Sequence, residues 1–212
     1  MDKKTRAKHL IAVLRELYPE VRCSLDYETP LQLLVATQLA AQCTDARVNI
    51  VTRTLFEKYR TVEDYAGAGL AELEEDIRST GFFHNKARNL KACALALLSR
   101  HEGEVPRTLE ELILLPGVGR KTANVVLGTC FGVPGVIVDT HAGRLARRMG
   151  LTQAEDPAAV ERDLMKILPK SEWTEFSHRL VYHGRAICDA RKPKCGCCAA
   201  RPYCVTGQKA IE

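Results

Sequence analysis

The chain has 212 residues, a formal charge of +5 and a hydrophobic fraction of 46%. That length suffices for one large domain or two small ones with a real core, and the apolar fraction excludes a disordered chain. Charge runs through residues 1–20, where LIAV is the longest apolar run; this excludes a signal peptide or membrane span there and predicts a protein of the cytoplasm, or of the nucleoid if bacterial.

In chain order, almost every segment reads as helix. Leu10, Leu14 and Leu17 mark one stripe, ended near Pro19. PLQLLVATQLAAQ starts with Pro30 at a first helical position and is apolar nearly all round, which predicts a buried central helix. Thr44 and Asp45 can cap the next segment, whose Val48, Val51, Leu55 and Tyr59 recur at helical spacing. Thr61 opens a short segment. Leu70, Leu73 and Ile77 form another stripe, closed by Gly81, and NKARNLKACALALLSR turns Leu90, Leu97 and Leu98 inward. Thr108 and Glu111 form a capping box before LEELILL, and after a PGVG break Ala123, Val126, Leu127 and Cys130 resume the helical period. Asp156 and Pro157 start a helix carrying Val160, Leu164 and Ile167. Ser171 opens the last long one, with Phe176, Leu180 and Ile187. VIV at 136–138 is too short to seed a sheet, so the class is all-α. Gly132, Pro134 and Gly135 mark a linker, with a boundary near residue 133 and a second crossing after Pro19.

Two segments carry chemistry. In LLPGVGRKTANVV, Gly117 and Gly119 permit positive φ and leave amides uncovered at the positive end of the following helix, with Val118 between them and the cations Arg120 and Lys121 behind. Such a turn can hold a phosphate oxygen; it is also the plain connection of an αα-hairpin. The other cations cluster too: Lys3, Lys4, Arg6 and Lys8; Arg144, Arg147 and Arg148; Arg185, Arg191, Lys192 and Lys194. They read either as one basic face for nucleic acid or as separate solvated faces.

The second segment is CDARKPKCGCCAARPYC. Of nine cysteines, Cys23, Cys43, Cys93 and Cys130 lie among apolar neighbours and read as small core residues, whereas Cys188, Cys195, Cys197, Cys198 and Cys204 crowd one stretch. The odd count and cytoplasmic setting argue against disulfides. Four thiolates on so short a loop suit either zinc or a [4Fe–4S] cluster, and either Cys197 or Cys198 could complete the set. A metal centre would stabilise a segment with no evident core of its own.

These motifs, with LAAQCTD at 39–45, GFFHNKA at 81–87, VDTH at 138–141 and HGR at 183–185, resemble the endonuclease III family of helix-hairpin-helix DNA glycosylase/AP lyases along essentially the whole chain. The resemblance implies two helical domains with a DNA-binding cleft between them. One is a six-helix barrel at 22–133, holding the hairpin at about 109–130. The other combines 1–21 with 134–212 and holds the iron–sulfur loop at 188–204. The family spacing selects Cys188, Cys195, Cys198 and Cys204 as ligands of a [4Fe–4S] cluster, leaving Cys197 an extra thiol, and Arg191, Lys192 and Lys194 present cations to the DNA backbone.

The resemblance also makes Lys121 the nucleophile and Arg120 its spectator. An ordinary lysine is uncharged in only about one molecule in 2,500 at pH 7, so its ammonium must be disfavoured by the helix dipole and by partial burial. Asp139, otherwise a helix N-cap, stabilises positive charge at C1′ and takes the lysine proton. Gln42 enters the stack vacated by an extruded nucleotide, and Phe82 stands at a wedge position where leucine is common. Asp45 caps its helix or reaches the lesion pocket; His141 packs or reaches phosphate. The implied function is removal of oxidised or ring-saturated pyrimidines from double-stranded DNA and nicking of abasic sites by β-elimination, by a monomer. The alternatives are a monofunctional mismatch glycosylase of the same superfamily and a non-catalytic DNA-binding module.

Overall fold

The computed structural model describes residues 1–210, and among these every regular element is a helix. The chain divides into two compact units, Cys23–Gly132 and Met1–Arg22 with Val133–Glu212. No helix among the described residues is long and apolar enough to cross a membrane.

α1 (Lys3–Leu17) starts at Asp2, whose carboxylate accepts the amides of Lys4 and Thr5. Its buried stripe is Ala7, Leu10 and Leu14; Leu17, on the same face but at the last position of the helix, is exposed, unlike the sequence expectation.

In the Cys23–Gly132 unit, α2 (Pro30–Leu39) begins with proline behind the Thr29 cap and buries most of its residues. Side chains on all its faces meet neighbours: α2 packs on α3 (Asp45–Lys58), α6 (Phe83–His101) and α8 (Arg120–Cys130). Thr44, rather than Asp45, caps α3. α4 (Val62–Gly67) carries a complete Thr61/Asp64 capping box. With α5 (Leu70–Asp76) it covers α6, although Leu70 at the start of α5 stays exposed. A 3₁₀ turn at Arg78–Thr80 leads into α6, where Leu90 and Leu97 are buried and Leu98 is half-buried. α7 (Leu109–Leu112) is a single turn, so this unit has seven α-helices where six are expected. Of its scattered cysteines only Cys93 is buried; Cys23, Cys43 and Cys130 are half-buried.

The other unit closes α1 on α9 (Thr140–Arg148), α10 (Pro157–Ile167), α11 (Trp173–Ala186) and α12 (Val205–Lys209) around Leu10, Leu145, Leu164, Phe176 and Leu180. Residues 135–137 carry no regular element, and α11 bonds to two of them: Gly135 exchanges bonds with Thr174, and the Ile137 amide donates to Ser177 Oγ at 2.9 Å. Buried Arg179 pairs with Glu172 and Glu175 and donates to the Tyr18 carbonyl, fixing the end of α1 to α11.

Candidate functional site

The hairpin turn differs from expectation in how its glycines work. Gly117 has φ +76°, and a Cβ there would meet Gln38 Oε1 at 2.5 Å and Asn89 Cβ at 2.9 Å, so both conformation and packing demand glycine. Gly119 is extended at φ −93°, and a Cβ there would meet nothing within 4 Å. Nothing among the described residues therefore requires glycine at 119; what its absent side chain leaves open is the approach to the start of α8, whose first amides have no acceptor within their own helix. Val118 does not join that grip. Its side chain is buried and its amide donates to Leu115 O at 3.1 Å, so its part is to anchor the turn.

Arg120 and Lys121 are the first and second residues of α8, both exposed. The helix N-terminus lies under Lys121 as expected, but the described residues do not bury it.

Gln42 and Phe82 share an unusual backbone. Their φ values are +53° and +51°, in the left-handed region that side chains other than glycine seldom adopt. Both are exposed, Phe82 by 62%. Phe83 is the half-buried member of its pair, with the Arg78 guanidinium 5.9 Å from its ring centre. Asp45, in the first turn of α3, accepts the Ser24 hydroxyl at 2.5 Å and helps fix the chain at Ser24.

Asp139 caps α9, its Oδ1 taking the Ala142 amide at 2.7 Å. The cap holds the carboxylate at a helix N-terminus. His141 packs: a Cβ on Gly184 would lie 2.7 Å from its Nδ1, so the glycine of HGR is what lets α11 approach it. Arg144 Nη2 lies 3.1 Å from the same nitrogen. Burial pushes His141 below the ordinary histidine value and does the same to His178, while the nearby Asp139 carboxylate opposes it in both.

Cys188, Cys195, Cys198 and Cys204 line one cavity with Ile187 and Ala200, and Cys197 is exposed beside it. Among the described residues no three His, Cys, Asp or Glu side chains draw together tightly enough for a single metal ion. Tetrahedral zinc at about 2.3 Å from each sulfur would need sulfurs about 3.8 Å apart. The donor set is soft and bears hydrogen bonds suited to thiolates: Arg148 Nη1 donates to Cys188 Sγ, and the Gly207 amide to Cys204 Sγ, each at 3.3 Å. Burial and the neighbouring cysteines push the Cys198 and Cys204 thiols up, a cost that a cationic centre among them would offset. The four residues thus fit an iron–sulfur cluster.

Around this loop the sequence misleads about two cations and hides a histidine. Arg144 donates to the carbonyls of Gly184 and Cys188, and Arg148 to those of Asp189 and Ala190 at 2.7 and 2.6 Å, so these arginines hold the loop's backbone instead of forming an open basic face. Lys194 also reaches back, to Ala186 O at 3.0 Å, leaving Arg191 and Lys192 as its most outward cations. Buried His183, the first residue of HGR, places Nε2 3.3 Å from Cys198 Sγ and Nδ1 3.2 Å from the Tyr18 hydroxyl, and its carbonyl accepts the Cys188 amide. In the Cys23–Gly132 unit, buried Lys86 is a second residue that motif reading passes over. It sits four residues before Leu90 on the same buried stripe of α6, a position where a lysine signals an internal partner.

The HhH-GPD superfamily base excision DNA repair protein model matches residues 35–170. An endonuclease III from Synechocystis sp. is 53% identical over 208 residues, covering 98% of this chain and 95% of that protein. A solved endonuclease III in a non-covalent DNA complex superposes with a TM-score of 0.94, at 46% identity over 100% of this chain and 99% of that one. Another, trapped as a covalent intermediate with DNA in an estranged-adenine complex, gives 0.95 at 46% identity over the full length of both. The extended family match and the end-to-end relatives agree with the site's architecture: the chain belongs to the HhH-GPD superfamily of base excision DNA repair proteins, within the endonuclease III family.

Proposed function

We propose that this protein is a bifunctional DNA glycosylase/AP lyase that excises oxidised or ring-saturated pyrimidines from duplex DNA and cuts the resulting abasic strand. The observation that carries this reading is Lys121 itself: an amine at the second position of a helix, exposed behind a turn whose Gly119 is open to solvent, in a chain similar throughout to an endonuclease III captured covalently on DNA.

The chemistry comes from those groups. Phosphate held at the start of α8 fixes the strand without reading sequence. The damaged nucleotide leaves the stack, with Gln42 and Phe82 filling the gap. The neutral Lys121 amine attacks C1′; the C1′–N bond breaks, the base departs as an anion that takes its proton from water, and the sugar ring opens to an iminium as O4′ takes up the proton the lysine has shed. Loss of the C2′ proton then expels the 3′ phosphate. Asp139 offsets the charge growing at C1′ and accepts the proton that the lysine must shed. In the free protein Lys121 is exposed, so the bound nucleotide supplies the desolvation that makes its amine competent.

Cys188, Cys195, Cys198 and Cys204 would hold a [4Fe–4S] cluster, which supplies a structural cross-link; the residues around it present Arg191 and Lys192 to phosphate. The sequence spacing of Cys188, Cys195, Cys198 and Cys204, one C-x2-C with wider intervals on either side, supports a cluster over a single zinc ion. The protein acts as a cytoplasmic, nucleoid-associated monomer on this reading.

Borohydride reduction in the presence of an abasic-site duplex tests the scheme. The native protein should be trapped covalently and Lys121→Ala should not, while the variant keeps its fold by circular dichroism. An equal trapped band from Lys121→Ala would reject the nucleophile.

A further inference from the structure

Lys86 is 6% exposed, yet no carboxylate among the described residues pairs with it. Its Nζ donates to Leu39 O and to Thr80 O, each at 2.8 Å. Those two carbonyls end two different elements. Leu39 closes α2, and Thr80 closes the 3₁₀ turn before α6. Both ends present the negative pole of a short peptide array, which suits a cation. The Lys86 amide in turn donates to Phe82 O at 3.1 Å.

Each acceptor stands just ahead of a residue of the candidate site. Gln42 is three residues beyond Leu39, and Phe82 is two beyond Thr80. Both are exposed and left-handed, and a left-handed non-glycine residue persists only where its surroundings over-determine it. One buried ammonium therefore ties together the roots of both loops, and its own main chain gives the second loop a further bond.

We propose that Lys86 is a positioning residue for base extrusion: it fixes the spacing between the Gln42 and Phe82 loops so that both side chains enter the duplex together at one gap. This inference rests on the reading that Gln42 and Phe82 enter the stack. Removing the ammonium frees two buried carbonyls and uncouples the loops, while the hairpin turn and the 188–204 loop stay as they are. A misplacement of about 1 Å at a reacting group costs on the order of 100-fold in rate. Lys86→Met should therefore lower single-turnover excision about 10- to 100-fold, with affinity for an undamaged duplex retained.

A second signal separates this role from plain stability. In a duplex with 2-aminopurine opposite an uncleavable abasic analogue, the native protein should raise the fluorescence as it estranges the opposing base; Lys86→Met should not, at a temperature where circular dichroism shows it folded. Lys86→Gln, which keeps one or two donors, should fall between. Gln42→Ala and Phe82→Ala serve as the controls. If they blunt the fluorescence and both folded Lys86 variants match the native protein, Lys86 is not the tie. If Gln42→Ala and Phe82→Ala leave fluorescence and excision unchanged, the insertion reading falls and this inference with it. Should Lys86→Met fail to fold, Lys86→Gln decides alone: native fluorescence overturns the proposal, and partial fluorescence upholds it.

Discussion

The hairpin at 109–130 and the loop at 188–204 are held in opposite ways. Leu112, Leu115, Val118, Ala123, Val126 and Leu127 are all buried around the hairpin turn, so the turn rides on packed apolar side chains. The cysteine loop contributes Ala200 and Cys204 to a core, packs Cys188, Cys198 and Tyr203 partly against it, and between these points hangs from arginine-to-carbonyl bonds and from whatever joins its thiols. Apolar burial stabilises without regard to direction and survives small shifts, whereas a few directed bonds fail one at a time. The hairpin should therefore tolerate any change that spares its packing, and the loop should not tolerate loss of a single anchor.

The largest test of that contrast removes a ligand. Cys198→Ala should abolish the brown colour and the broad absorbance of about 400 nm expected of a thiolate-bound cluster. It should cost more than about 4 kcal/mol, lowering the melting temperature by roughly 10 °C. Hydrogen exchange should show faster exchange in 188–210 with little change in α6. Equal exposure of both regions would mean that the loop is not the weaker of the two.

Arg148→Ala comes next. It strips two carbonyls and a sulfur of a charged donor, at a cost of about 2–3 kcal/mol, and should speed cluster loss to a chelator. Replacing Arg191 and Lys192 by alanine should do the reverse. Stability should hold, and the slope of log affinity against log salt should flatten by about 0.9 for each phosphate no longer neutralised. If Arg148→Ala flattened the slope and left the chelator rate alone, the assignment of these cations would be inverted.

On the hairpin side, two glycines two residues apart should separate stability from binding. Gly117→Ala must adopt φ +76° against Gln38 and Asn89, costing roughly 1–2 kcal/mol in backbone strain before any repacking. Gly119→Ala enters open space at an ordinary φ and should leave the melting temperature nearly unchanged while weakening DNA binding, because its methyl group stands where a phosphate would approach. A Gly119→Ala protein with native affinity would remove the turn from the binding surface.

The legibility of the fold and the site in the sequence splits along the same line. Helix starts are written in local chemistry: Pro30, Thr61, Thr108, Asp156 and Asp139 each act where their side chains say they should. The cysteine spacing is legible because metal ligands leave few alternatives. Arg144 and Arg148 are not, since a guanidinium reads alike in sequence whether it meets water, phosphate or a carbonyl forty residues away. The left-handed Gln42 and Phe82 carry no glycine to announce them. Lys86 alone leaves a trace, as a cation on the apolar stripe of α6, and Leu17 and Leu70 show the converse, apolar residues on a buried stripe that are exposed because they stand at the ends of their helices.

The smallest expected effect concerns acid, and it too divides the two regions. His141 and His178 belong to the unit that carries the cysteine loop, and burial holds both below the ordinary histidine value in the folded protein. His178 faces Asp139 and Glu175, and His141 faces Asp139, Arg144 and Arg185; the acids oppose the shift without reversing it. Between the lowered folded value and about 6.5, the unfolded chain binds more protons than the native one. The stabilisation is therefore complete above about pH 6.5 and is lost as pH falls toward the folded value. Melting temperatures taken at about pH 7.5 and about pH 6.0, on protein that keeps its colour at both, should drop in the native chain and drop less in His178→Gln, which cannot take up a proton. Parallel drops in the two proteins would clear His178 of any part in the acid response. A loss of protection that began in α6 would place the acid-sensitive group in the unit that carries the hairpin.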